Sequence, residues 1–353
     1  MFNVYDAVFL WNVIQNLKMP RHTVLARYFP FLQPAKSVDS PIITFDYLPA
    51  AEKLAVFVSP LAEAQQVEER GFETESIRPA YVKMKTTLDL FRPWKRAAGE
   101  SIGAQDYSPE MRRRMQAAQA VEYLVALIRN RMEWMACQTL HAARYTVVGD
   151  KYDPVVLDFK RHAGNTVDLT TMTNATWGTD HRNARPTRHF QQWAEQIVKE
   201  GGGGITELLL TNSAWLALTE SPDFEKKMDQ RHLSGIAMET GPNLMRGINY
   251  KGLYDGIPVY VHMDFYVDGA GNRQRYLPDG YAYAIGRDTM LGVQAHGPIY
   301  DENIPGGGST TQEYYARSWV DKDPGVRTML CQTAPIVYAQ RPNAVLAAKV
   351  VDA

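Results

Sequence analysis

The 353-residue sequence has very little cysteine: Cys137 and Cys331 are the two, with no CxxC pair and no ladder of spacings. That excludes a disulfide scaffold and a zinc ribbon, and it fits a reducing compartment. An excess of one charge is also lacking. Lys and Arg number 38 against 39 Asp and Glu, a formal net charge of -1. Bulk electrostatics therefore exclude a basic nucleic-acid binder and leave room only for a local basic patch. No run approaches the roughly 18 apolar residues of a membrane helix. The opening MFNVYDAVFLWNVIQNLKMP has no basic start, and Asn3, Asp6, Asn12 and Gln15 interrupt it, so it is a poor signal peptide. The expectation is a soluble protein made in the cytoplasm, with no membrane partner.

Catalytic motifs are missing too. There is no GxSxG, HExxH, HxE…PCxxC or GxGxxG. The GGGG at 201–204 follows a helical pattern and precedes a strand, the reverse of a phosphate loop, and reads as a helix C-cap and loop. Cys137 and His141 share a helix face, but a zinc site needs three or four ligands. His162, His181, His189 and His232 show no ligand spacing. A packed thiol beside a surface or capping imidazole is the expectation. The sequence thus predicts no catalytic residue, no metal and no cofactor.

What is present is an ordinary globular composition, 45% hydrophobic and 22% charged, long enough for about two domains or one elaborated one. Residues 2–17 carry Val4, Val8, Trp11, Ile14 and Leu17 at helical spacing, stopped by Pro20. From Arg21 to Pro41 there is no clean period, yet Tyr28, Phe29 and Phe31 make the segment aromatic. A free linker would be polar, so this arm is expected to lie on another surface. ITFDYL and KLAVFV read as extended, then comes the polar SPLAEAQQVEERG, then ESIRPAYVKMKTTLDL with Pro79 inside it. Pro79 marks an edge or bulged strand. Two extended arms around a polar tip form a long hairpin, which would be marginal alone and needs a partner.

The strongest local signal is residues 109–142. Ser108 is placed to N-cap, Pro109 suits the first helical position, and Glu110 sits in the first turn. Apolar residues from Met111 to Met135 follow spacings of three and four. At about 1.5 Å per residue this helix is roughly 50 Å long and predicts a strut. Arg112, Arg113 and Arg114 stand in its first two turns, where three cations oppose the positive end of the macrodipole at a few tenths of a kcal/mol each. External compensation would come from an acidic segment of a neighbouring chain or from phosphate; a merely solvated run is the alternative. Glu68, Glu69, Glu73 and Glu75, near the hairpin tip, are the candidate acids on a neighbouring copy. The second half alternates. A hairpin is predicted around Asp150, a helix from about Thr187 to Gly201, a buried strand ITELLLT, a short helix capped by Asn212, and strands over 249–287 with a turn at GAGN 269–272. GPIYDENIPGGGSTT reads as a loop, and two apolar strands flank Pro342.

Several blocks, taken in order, resemble the lambda-type major capsid proteins of tailed phages. They are FVSPLAEAQQVEERGFETESIRPAYVKMK, the Arg run at 112–114, RYTVVGDKYDPVVLDFKR, INYKGLYDGIPVYVH with YLPDGYAYAIG, and the terminal QTAPIVYAQRPNAVLAAKV. The resemblance implies an α+β fold of the tailed-phage capsid (HK97-like) type. Residues 1–40 would be an N-terminal arm and 41–92 an extended hairpin loop lying on a neighbouring subunit. Residues 93–185 with 331–353 would form a peripheral domain carrying the spine helix at 109–142, and 186–330 an axial domain. The implied function is self-assembly into hexamers and pentamers of an icosahedral shell around phage DNA, in the virion. The implied partners are copies of itself, a scaffolding protein, a decoration protein, a portal and DNA held non-specifically. Expected inter-subunit contacts are Arg112, Arg113, Arg114, Glu68, Glu69, Glu73, Glu75, Tyr28, Phe29 and Phe31. Two alternatives stay open on the residues alone: an α/β enzyme with a scattered active site, and a tail or portal component.

Overall fold

The computed structural model describes residues 7–17, 23–31, 42–47, 73–91, 108–149, 152–172, 175–178, 184–200, 203–229, 245–286, 290–304, 308–323 and 325–352. The elements begin with helices α1 (Ala7–Gln15) and α2 (Val24–Tyr28), then strands β1 (Ile43–Tyr47), β2 (Glu73–Ile77) and β3 (Val82–Thr87). The long helix α3 (Pro109–Ala142) follows, with β4 (Arg144–Gly149), β5 (Tyr152–Asp158) and β6 (Thr166–Asp168). Next come α4 (Pro186–Lys199), β7 (Ile205–Thr211), α5 (Asn212–Thr219) and α6 (Pro222–Asp229). Strands β8 (Gly247–Tyr254), β9 (Ile257–Met263), β10 (Phe265–Val267), β11 (Arg273–Arg275), β12 (Tyr281–Gly286) and β13 (Gly292–His296) continue the chain. It ends with β14 (Ile299–Tyr300), β15 (Ser309–Thr310), β16 (Tyr315–Val320), β17 (Arg327–Thr333), β18 (Pro335–Ala339) and β19 (Val345–Lys349).

A mixed six-stranded sheet, in the order β6-β19-β12-β7-β9-β8, organises the second half. Strand β7 explains why it is buried on both faces. Successive side chains of ITELLLT point to opposite sides, and the central Leu208-Leu209-Leu210 supplies apolar groups to both. Leu208 and Leu210 join one core with α4 (Phe190, Trp193, Ile197) and α5 (Trp215, Leu218). Leu209 joins another with Met135, Ala136 and Leu140 of α3. A continuous apolar run is what a two-sided strand requires.

Helix α3 occupies the predicted span. Ser108 accepts a hydrogen bond from the Met111 N–H at 3.2 Å. Its far end closes at Ala143 in the left-handed region (φ 50°), with the Ala143 N–H donating to the Thr139 carbonyl. Along its length it serves two cores. Residues from Ala117 to Met132 pack with α1 (Leu10, Ile14), β16 and β17. The last two turns pack under the large sheet. That is the strut reading in physical form: one rigid rod joining two hydrophobic cores.

Several expectations need correcting. The aperiodic stretch after Arg21 contains the helix α2, N-capped by Thr23. The short helix after β7 is capped by Thr211, not Asn212, and without a side-chain hydrogen bond. The loop from Gly297 contains the paired strands β14 and β15. The predicted hairpin is present at its base, where Ile43 pairs with Ile77 and Tyr47 with Glu73; KLAVFV and the polar tip lie outside the described residues. After Pro79 the second arm leaves that ribbon. Strand β3 instead pairs with β17 and forms the edge of the sheet β16-β17-β3, the edge position Pro79 led us to expect. The large sheet draws β6 and β19 from outside residues 186–330, and the position 330/331 falls inside β17.

Candidate assembly surface

The described residues expose charged and apolar side chains at several places, which are candidate surfaces for association. The first is the N-terminal end of α3. Arg113 and Arg114 are exposed and Arg112 is half-buried. Arg114 donates to Glu110 Oε1 at 2.9 Å, one turn back, an orientation worth a few tenths of a kcal/mol on a helix. Glu73 and Glu75 sit on β2, opposite Tyr47 and Phe45. Glu68 and Glu69 lie outside the described residues.

A second surface is the β4–β5 ribbon. Val148 and Val156 are 69% and 61% exposed on it, an apolar presentation that a strand pair left in water does not favour. Beside the ribbon runs a groove of about 510 Å³, floored by Trp134, Met135 and Ile336 and walled by residues 78–83 and Val155. Arg78, Lys83 and Arg131 supply its charge, and among the described residues no carboxylate lines it. Arg131 lies over the Trp134 ring at 5.2 Å. The groove therefore suits an apolar segment flanked by acids.

The aromatic arm is placed differently from the expectation. Tyr28 and Phe29 are buried in the chain's own core, not offered to a neighbour. Phe31 is half-buried and stacks on His296 at 5.9 Å. The surface that the aromatic residues require is the body of the same subunit. Polar contacts fix the arm as well. Both oxygens of Glu133, on α3, accept from the first turn of α2, from Val24 N–H at 2.8 Å and Leu25 N–H at 2.9 Å. A carboxylate at a helix N-terminus satisfies donors that have no intrahelical partner. Arg27 makes a two-point ion pair with Glu207 of β7 and lies over the Tyr260 ring at 3.9 Å.

Arg161 was also not anticipated. Its guanidinium donates to the carbonyls of Leu140 (2.7 Å), His141 (2.8 Å) and Pro342 (3.1 Å). It thus caps the C-terminal end of α3, where a cation is favoured by the macrodipole, and ties that end to the turn before β19. Burial pulls its pKa down to about 10, so it stays charged at neutral pH. His141 is not a ligand partner of Cys137: it contacts the Tyr283 hydroxyl at 3.1 Å, and its ring meets Tyr281 edge-on. Cys137 is instead fully buried beside Glu133. The available signal for Glu133 was a carboxylate one helical turn from Cys137, inside an apolar pattern.

A rod bridging two cores, a hairpin rooted in one of them and an exposed apolar ribbon define the subunit's architecture. The structure of a capsid protein from an Escherichia coli prophage matches it with a TM-score of 0.70 at 17% identity, over 98% of this chain and 99% of that one. The family model for phage major capsid protein E matches residues 6–350, and the chain belongs to that family. The major capsid protein of phage phi80 is 26% identical over 306 residues, 86% of this chain and 87% of its own. That of Escherichia phage lambda is 25% identical over 303 residues, 84% and 85%. The chain is thus a structural protein of the phage virion, a capsid subunit that associates with copies of itself, rather than an enzyme. No described helix is long and apolar enough to cross a membrane.

Proposed function

We propose that the subunit builds hexamers and pentamers of an icosahedral shell around packaged DNA, with the hairpin of residues 41–92 lying on the adjacent copy. The observation that carries this is the distribution of charge and apolar surface. Exposed arginines at the start of α3 and a cation-rimmed apolar groove stand on one subunit; the hairpin of another offers Glu68 and Glu69 from its distal part and Glu73 and Glu75 from strand β2 at its base. Opposite charges at an interface set register and suppress wrong pairings more than they add affinity. Net charge near zero supports the same reading, since strongly charged copies would repel one another. By this account residues 93–185 with 331–353 act as the peripheral part, and 186–330 surround the capsomer centre. A scaffolding protein, a decoration protein and a portal complete the set of partners.

The test is Arg113→Glu. Its side chain is exposed, so unfolding of the isolated subunit should shift by no more than about 0.5 kcal/mol. Shell yield by sedimentation should fall severalfold, with partial recovery when Glu69→Arg is added. An unchanged yield would return the arginines to a solvated role.

A further inference from the structure

One buried cluster is left unused by shell assembly. Glu133 and Cys137 occupy successive turns of one face of α3, and His262 reaches the same point from β9, 125 residues further on. A carboxylate oxygen, the Cys137 sulfur and a ring nitrogen of His262 all lie within 4.8 Å of one another. The Cys137 Sγ to Glu133 Oε1 distance is 3.8 Å. All three side chains are buried, and His262 Nε2 has no hydrogen-bond partner. Buried polar atoms of native proteins mostly have a partner, so this nitrogen has capacity left for a ligand.

We propose that Glu133, Cys137 and His262 form a buried site for a divalent cation of the zinc class. Tetrahedral zinc with sulfur, nitrogen and oxygen donors places its ligand atoms roughly 3.3–3.8 Å apart. The Glu133–Cys137 pair is at that spacing, and His262 closes by a side-chain adjustment of about 1 Å. Thiolate and imidazole donors select zinc, cobalt or copper over magnesium and calcium. Charge balance suits burial: one thiolate and one carboxylate neutralise the two positive charges, and the imidazole stays neutral. Burial lowers the His262 pKa to about 4, so at neutral pH its ring is uncharged and one of its nitrogens offers a lone pair. Burial and the neighbouring Glu133 raise Cys137, so the thiol keeps its proton until the metal arrives; the Sγ–metal bond replaces the S–H bond and the proton leaves to solvent with the water shed by the ion. Glu133 keeps a free lone pair on each oxygen while it accepts from Val24 and Leu25. The ion would therefore fasten α3 to the large sheet and, through Glu133, to the arm helix α2. This proposal does not depend on which surfaces meet in the shell.

The experiment uses the full chain, expressed in medium supplemented with Co²⁺ and purified folded. Elemental analysis reads the metal per chain, and near-ultraviolet absorption reads thiolate-to-cobalt charge transfer. The expected result is about one ion per chain with a charge-transfer band, displaced by added Zn²⁺, and a melting temperature that falls when a chelator strips the ion. Cys137→Ser should abolish the band and His262→Gln should weaken binding by about tenfold or more. Cys331 is the only other thiol, so a band that survives Cys137→Ser overturns the proposal. Folded wild-type protein that binds much less than one ion per chain overturns it as well. That reading needs no variant, so it holds even if either substitution fails to fold. Loss of shells with cobalt still bound would count against the assembly account and leave the metal site standing.

Discussion

Buried histidines make the subunit's stability sensitive to acid. His296 is enclosed by Phe31 and Tyr314, with Thr333 as its hydrogen-bond partner at 2.9 Å. His141 sits against Tyr281 and Tyr283 with the Arg161 cation nearby. Burial lowers both pKa values to about 4, well under the ordinary 6.5. A depressed histidine pKa means that, between about pH 4 and 6.5, the unfolded chain binds a proton that the folded one refuses. The stabilisation is complete above pH 6.5 and is lost as pH falls toward 4. Each group can contribute on the order of 3 kcal/mol over that window. His262 acts in the same sense, while buried Glu133, raised to about 7, acts in the opposite one, so denaturant midpoints of the unassembled subunit should show a net fall from pH 6.5 to 4. His296→Gln should reduce the slope by about one proton, and an identical slope in that variant would refute the assignment.

Among the elements, the arm differs most from its reading in the sequence. Tyr28 and Phe29 were legible as residues that need a surface; which surface was not. The deciding contacts, Glu133 to Val24 and Arg27 to Glu207, span 109 and 180 residues, and no local period encodes a partner that far away. By contrast α3 was legible to its ends, because caps, first-turn chemistry and apolar spacing all act within a few residues. The hairpin lay between these cases. Strands β1, β2 and β3 were readable, but the departure of β3 to pair with β17 depends on a distant strand. Since Phe29 is fully buried in its own subunit, Phe29→Ala should lower subunit stability by about 3–5 kcal/mol, read by thermal unfolding before any assembly. Unaltered unfolding with lost assembly would restore the arm to an inter-subunit role.

In the molecule as a whole, the division of labour follows from burial. The two-sided sheet and α3 hold the body rigid, while exposed apolar surface lies on the β4–β5 ribbon and cationic side chains line the groove and the start of α3. Ordered sequence blocks made the capsid fold legible, and the absence of catalytic motifs agreed with it. The buried cluster at Glu133, Cys137 and His262 was not legible, because one of its members comes from a strand on the far side of the chain. The central claim is that this subunit closes shells through its hairpin. Electron microscopy of the full chain co-expressed with its neighbouring genes, beside a variant lacking residues 50–70, which keeps the paired strands β1 and β2, tests it most directly. The account predicts closed polyhedral shells from the full chain and folded but unassembled subunits from the deletion. Normal shells from the deletion, or only small discrete particles from the full chain, would contradict it.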